Sequence, residues 1–372
     1  MKYTPKKVVW EITFKCNVNC IHCGSDCTSI EKDRQLTTAE CFEIIEDLAD
    51  LGCETIILSG GEPLMRKDIG AIATRIRLLG MKVAFISNAY LVNEETIKIL
   101  KEIMPSAFGI SIDAGEAYLH DYIRGKNGAF EHVEKAIKLL HGNGIIPSVV
   151  STIHKLNYTQ LPKIRDFLIK NNVKLWQIQY GDHIGRMPRE TMITEAQFVE
   201  IAKFILQTRE KYADKFKIVS GADVFGYLGD MGSEVQGPWW GCHAGMQGLG
   251  LGSDGTVRGC LSLQLDQFIE GNTHERSLKE IWNDRNSFAY NRRFDCSMLS
   301  GHCKECLYAS VCKGGCLRAA SIQGGRCNPY CLYKFEKDGF SSEEQARTEF
   351  SKEELYNLYN PIRELPQEFW EE

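Results

Sequence analysis

The run Val8-Val9-Trp10-Glu11-Ile12-Thr13-Phe14-Lys15-Cys16-Asn17-Val18-Asn19-Cys20-Ile21-His22-Cys23 decides how the rest of the chain is read. Its first half is β-branched and aromatic, which favours an extended strand, and its second half sets three thiols on the loop leaving that strand. The alternation continues outward. Strands are expected at Val8 to Thr13, Glu54 to Ser59, Lys82 to Ser87, Ala107 to Asp113, Ile145 to Thr152 and Lys174 to Gln179, with helix-period segments between them. Thr37-Thr38-Ala39-Glu40 reads as a capping box opening a helix to about Leu51, and Gly52 stops it. Leu79-Gly80 and Gly142-Asn143-Gly144 close two later helices.

Repeated strand-helix units build a parallel sheet with helices outside. Six βα units fit before about residue 215, whereas a closed eight-stranded barrel takes about 250 residues. The expected fold is therefore α/β, a partial (β/α)6 TIM barrel over 1–220, open on one side. A small cysteine-rich domain is expected over 235–335 and an acidic helical tail over 336–372, packing by Phe350, Leu355 and Tyr356 or staying partly free.

The chain has 372 residues, 43% hydrophobic and 25% charged, which excludes a disordered or fibrous protein. Its net charge of −5, with the acidic excess beyond Ser341, argues against a nucleic-acid partner. No apolar run reaches the roughly 18 residues of a membrane helix, and the amino terminus does not read as a signal peptide. A cytoplasmic location and no membrane partner are expected. In that compartment 15 cysteines read as metal ligands, catalytic thiols or buried small side chains more readily than as disulfides.

The cysteines fall into two groups, six up to Cys53 and nine from Cys242 to Cys331. In barrels of this kind chemistry sits at the carboxy-terminal ends of the strands. Cys16, Cys20 and Cys23 follow the first strand, Gly60-Gly61-Glu62-Pro63 the second, Ser87-Asn88 the third, and Ser111 and Asp113 the fourth. Three close thiolates suit a cubane iron-sulfur cluster with one iron left open. Zinc completed by His22 or Cys27, or a redox pair at Cys20 and Cys23, are the alternatives. Cys27, Cys41 and Cys53 read as buried small side chains.

The second group has the pattern Cys242-x12-Gly255-x4-Cys260, then Cys303-x2-Cys306-x5-Cys312-x3-Cys316, then Cys327 and Cys331, with Cys296 between. The run Gly250-x-Gly252-x2-Gly255 has the spacing of a dinucleotide fingerprint, but Asp254-Gly255 reads as a hairpin turn that brings Cys242 and Cys260 together. Zinc is the plain alternative for Cys-x2-Cys spacings.

The triplet Cys16-x3-Cys20-x2-Cys23, with Gly60-Gly61-Glu62-Pro63 and the βα units, resembles the radical S-adenosylmethionine (SAM) superfamily. The resemblance implies a [4Fe-4S] cluster whose open iron chelates SAM, and reductive cleavage of SAM to a 5′-deoxyadenosyl radical that abstracts hydrogen from substrate. It also implies a SAM site made by His22 against adenine, Gly60 and Gly61 near the methionine amino group, Ser111 on ribose or methionine and Arg124 clamping the carboxylate, with Glu62, Ser87 and Asn88 as further cofactor-binding residues. Gly60 and Gly61 lack Cβ atoms and permit close backbone approach to a ligand. The later pattern resembles the SPASM domain, which implies two auxiliary clusters. The first takes Cys242, Cys260 and Cys316, with Cys296 as a distant candidate for its missing ligand or the position left open. The second takes Cys303, Cys306, Cys312 and either Cys331 or Cys327, with Cys331 preferred.

The branch so resembled mostly modifies peptides, which implies a peptide substrate, crosslinked or altered at a residue, and a reductant such as flavodoxin or ferredoxin. Leu261 after Cys260 departs from the aspartate of the sulfatase maturases and argues against that activity. Cys16 lies too near the start for a preceding winged-helix domain, so a leader would be recognised elsewhere or by a separate protein. The alternative is small-molecule chemistry on tetrapyrrole side chains of heme or heme d1, or on aminoglycosides. No catalytic acid or base is identified. Trp239-Trp240 after Pro238, and Tyr180-Gly181-Asp182-His183, are read as interdomain packing or as cavity wall.

Overall fold

The computed structural model describes residues 3–27, 35–221, 227–237, 239–322 and 324–338. Pro238 and the tail from 339, including Phe350, Leu355 and Tyr356, lie outside the described residues. Strands β1 (Lys7–Glu11), β2 (Thr55–Ser59), β3 (Lys82–Ser87), β4 (Ala107–Ser111), β5 (Ser148–Ile153), β6 (Leu175–Tyr180) and β7 (Lys217–Ser220) run parallel in sequence order. Helices α1 (Thr38–Asp50), α2 (Ile69–Leu78), α3 (Glu94–Ile103), α4 (Ala117–Arg124), α5 (Ala129–Gly142), α6 (Leu161–Lys170) and α7 (Glu195–Tyr212) lie between them. The six expected strands are present. The seventh, β7, was not expected from its sequence, because four residues with only Ile218 well buried are too short to display a period of two.

The helices form for local reasons and stay for tertiary ones. Thr37 and Glu40 cap each other's backbone N–H at the start of α1, as expected from the capping box. The α1 face Cys41, Ile44, Ile45 and Leu48 follows helical spacing and packs into the main core, each Ile or Leu worth about 1.5–3 kcal/mol. On β5 and β6 the alternation is visible residue by residue. Val149, Ser151, Ile153, Trp176 and Ile178 are buried, while Val150, Thr152, Gln177 and Gln179 face a central cavity.

The sheet does not stop at the barrel. Strand β8 (Gly248–Leu251) pairs in parallel with β1, and β9 (Thr256–Arg258) and β10 (Ile269–Asn272) continue it antiparallel, giving the order β10-β9-β8-β1-β2-β3-β4-β5-β6-β7. The expected hairpin turn at Asp254-Gly255 is the β8–β9 connection, closed by Gly252 N–H donating to Thr256 O at 2.8 Å. Beyond β10 the chain is short helices and single turns down to Leu332–Asp338. No helix among the described residues is long and apolar enough to cross a membrane.

Candidate active site

The cysteine loop leaves β1 and is gripped by the loop after β2. Gly61 N–H donates to Thr13 O and Glu62 N–H to Lys15 O, each at 2.8 Å. A Cβ on Gly61 would stand 2.1 Å from Lys15 O, and one on Gly60, where φ is +131°, 2.4 Å from Thr13 O. The glycines therefore serve close contact between two loops of this chain, in addition to lining the cavity as expected. Glu62 is fully buried and braces that junction from behind. It accepts from Ser87 Oγ at 2.9 Å, Asn88 N at 2.8 Å and Leu64 N at 3.1 Å. Burial raises its carboxyl to about 7 despite those donors.

These loops enclose a cavity of about 330 Å³ at the carboxy-terminal ends of the strands. The thiols of Cys16, Cys20 and Cys23 line it, as does every expected SAM contact except Glu62. Thr152, Gln177, Gln179 and Asp182 form the far wall, and Leu261, Ser262 and Arg318 enter from the cysteine-rich domain. Arg124 is not a solvated side chain. It is 8% exposed, its Nη2 is 2.7 Å from Asp113 Oδ2, and its Nη1 donates to Cys20 Sγ at 3.6 Å. Asp113, wholly buried, also accepts from Thr152 N at 2.9 Å and stands 3.4 Å from His22 Nε2. Burial lowers His120 and His154 to about 3, so both stay neutral beside this carboxylate.

A residue outside the expected set ties the loop down. Arg186, after β6, donates from Nε to Cys20 O at 3.1 Å and from Nη1 to Cys27 O at 2.7 Å and Asp26 Oδ1 at 3.0 Å, while its backbone N–H donates to Cys23 O at 3.0 Å. Cys27 is thereby brought to the triplet, packed with Cys16 and Cys20, and it lines the cavity. Cys41 and Cys53 lie in the main core as expected.

In the cysteine-rich domain Cys242, Cys260 and Cys316 lie close enough to affect one another's ionisation, and burial raises all three thiols. Cys296 is exposed on a separate turn, Cys296–Met298. Cys303, Cys306, Cys312 and Cys331 line a second cavity of about 390 Å³. Cys327 is not on that wall; its Sγ sits 3.3 Å from His302 Nδ1, grouped with Cys303. Thiols clustered in threes and fours suit groups that bind as thiolates to a compensating positive metal centre.

Residues 10–168 match the Radical SAM superfamily, and residues 242–307 match the iron-sulfur cluster-binding SPASM domain. This chain is a radical SAM enzyme with a SPASM domain. Its cofactors are a [4Fe-4S] cluster and SAM, and the SPASM domain implies auxiliary iron-sulfur clusters. It is 27% identical over 347 residues to an AdoMet-dependent heme synthase of Methanosarcina barkeri, covering 90% of this chain and 98% of that one. It is 26% identical to a PqqA peptide cyclase of Bradyrhizobium diazoefficiens over 88% of this chain and 86% of that one. Streptococcus suis SuiB bound to S-adenosylmethionine shares the fold with a TM-score of 0.71 at 18% identity, over 88% of this chain and 76% of that one.

Two further features of this radical SAM enzyme join its domains. Asp182 and Arg318 form a buried ion pair at 2.7 Å on the cavity wall, and Arg318 lies over the Tyr180 ring. The Tyr180-Gly181-Asp182 run is thus both cavity wall and interdomain packing. Trp239 packs tilted against Tyr227, stacks on His243 and donates to Cys312 O at 3.1 Å, whereas Trp240 is 71% exposed. Arg186 and the proximity of Cys27 had no strong sequence signal beyond Gly185-Arg186 following a predicted strand.

Proposed function

We propose that this enzyme abstracts hydrogen from a side chain of a peptide substrate inserted into the cavity between Ser111 and Arg318. When bound, the cluster and SAM supply the 5′-deoxyadenosyl radical. The observation that carries the reading is the size of the shared cavity, about 330 Å³, near the bottom of the roughly 300–1,000 Å³ range of small-molecule sites. The cluster and SAM would take up much of that space, so the body of the substrate is read as lying outside it, with only a reacting group reaching in.

The triplet Cys16, Cys20 and Cys23 would hold the catalytic cluster, and Ser111, Gly60 and Gly61 would position SAM. Arg124 Nε is buried and has no hydrogen-bond partner among the described residues, and with Nη2 on Asp113 and Nη1 on Cys20 the guanidinium keeps N–H groups to spare for the SAM carboxylate. Leu261, Ser262 and Arg318 exclude water from the substrate side. Cys242, Cys260 and Cys316 would hold one auxiliary cluster, and Cys303, Cys306, Cys312 and Cys331 the other. A one-electron donor such as flavodoxin or ferredoxin would reduce the enzyme.

The full-length similarity to the heme synthase supports a second reading, in which the projecting group is a tetrapyrrole side chain. Anaerobically reconstituted enzyme, incubated with deuterated precursor peptides or with an iron porphyrin bearing deuterated propionates, separates them. Deuterium in 5′-deoxyadenosine from peptide alone is expected; transfer from the porphyrin alone overturns the peptide reading.

A further inference from the structure

We propose that Asn88, Arg124 and Cys27 set the reduction potential of the catalytic cluster by each donating a hydrogen bond to a different one of its three thiolate ligands. The inference rests on the reading of Cys16, Cys20 and Cys23 as those ligands.

The three donors come from three places in the fold. Asn88, just past β3, points Nδ2 at Cys16 Sγ, 3.8 Å away. Its amide orientation is fixed on both sides, since Nδ2 also donates to Asn17 Oδ1 at 2.8 Å and Oδ1 accepts from Tyr90 N at 2.9 Å. Arg124, at the end of α4, places Nη1 3.6 Å from Cys20 Sγ, and Asp113 anchors its other arm at 2.7 Å. Cys27 is 1% exposed and packs in one cluster with Cys16, Cys20 and the partly buried Cys23, which places its thiol beside the third ligand. Arg186 holds the Cys27 carbonyl and the Cys23 carbonyl from the same side, which fixes the spacing of those two residues.

A donor on a ligand sulfur draws electron density from the cluster and stabilises its reduced, more negative form. The surroundings push the other way. Asp113 and Glu62 are buried near the triplet, and any negative charge they carry that Arg124 does not neutralise disfavours adding an electron. One donor per sulfur offsets that field evenly around the cluster. Cys27 is the member with no other assigned task, because it is neither a ligand in the triplet nor part of the main core.

The test is an anaerobic potentiometric titration of the reconstituted full-length enzyme, followed by electron paramagnetic resonance. The catalytic cluster is identified as the signal that changes when SAM is added. Cys27→Ala and Asn88→Ala, at unchanged iron content, should each lower the reduced-to-oxidised ratio of that signal about tenfold at fixed poise, a negative shift of about 59 mV for one electron. Cys27→Ser, which keeps a donor, should titrate close to the parent and guards against a Cys27→Ala protein that fails to assemble. Ratios within twofold of the parent in Cys27→Ala and Asn88→Ala overturn the proposal while leaving the cluster assignment intact. A parent protein with no SAM-sensitive signal overturns the assignment itself.

Discussion

The two cysteine-bearing regions reach similar ligand sets by opposite means. Around Cys16, Cys20 and Cys23 the supporting groups come from the ends of β2, β3, α4 and β6, far away in sequence, and each is locked by a partner of its own. Around Cys303, Cys306, Cys312 and Cys331 the chain is single turns and short helices with little sheet to hold them. The barrel is therefore expected to position its thiols whether or not metal is present, and the later module to depend on metal for much of its order.

The sharpest way to break this comparison is to remove one metal site and leave the other. Replacing Cys16, Cys20 and Cys23 together with alanine should abolish SAM cleavage and lower the iron content from about 12 to about 8 per chain, as expected for loss of one of three four-iron clusters. Chromatographic assay of 5′-deoxyadenosine and iron quantitation check both halves; deoxyadenosine at the parental level would falsify the ligand assignment.

Removing all iron by chelation is the next largest perturbation. Hydrogen exchange should show protection kept over β1 to β7 and lost across 296–338. If both regions lose protection together, the barrel too is organised by metal and the contrast fails.

A smaller effect concerns the brace behind the cavity. Glu62 has its folded carboxyl raised to about 7 from an ordinary value of 4.5, so the folded state binds its proton more tightly than the unfolded chain. The stabilisation from this proton is complete below about 4.5 and is lost as pH rises to about 7. Glu62→Gln should flatten that slope by about 1–3 kcal/mol in denaturant titrations across this window, given that 1.36 kcal/mol corresponds to one pKa unit. An unchanged slope would mean that Glu62 is ionised throughout.

The smallest change is expected at Cys41, a thiol on the packed face of α1 beside Arg66. Cys41→Ala should leave iron content and SAM cleavage unaltered and cost about 1 kcal/mol of stability, measured by the same denaturant titration.

Legibility followed the range of the interactions. The strand-helix alternation, the α1 cap and the hairpin at Asp254-Gly255 are local, and the sequence displays them directly. The gathering of the triplet, Ser87, Asn88 and Ser111 into one cavity follows from the rule that strand ends converge. Arg186 could not be read this way, because its partners lie some 160 residues earlier and an arginine in a loop looks the same whether solvated or pinned. The same holds for Asp182 with Arg318, and for β8, whose Gly-Leu-Gly-Leu sequence has little intrinsic strand preference and is ordered by pairing with β1.

That last pairing bears on how substrate gets in. Residues Lys7 to Trp10 are hydrogen-bonded on one side to β2 and on the other to Gly248 to Leu251, so the barrel and the cysteine-rich domain share a single backbone ladder. Swinging one domain off the other would tear four residues of parallel sheet out of the middle of the molecule. Entry to the cavity is therefore expected to come from side chains and loops giving way at its mouth, motions of the nanosecond to microsecond scale, and not from the two halves parting.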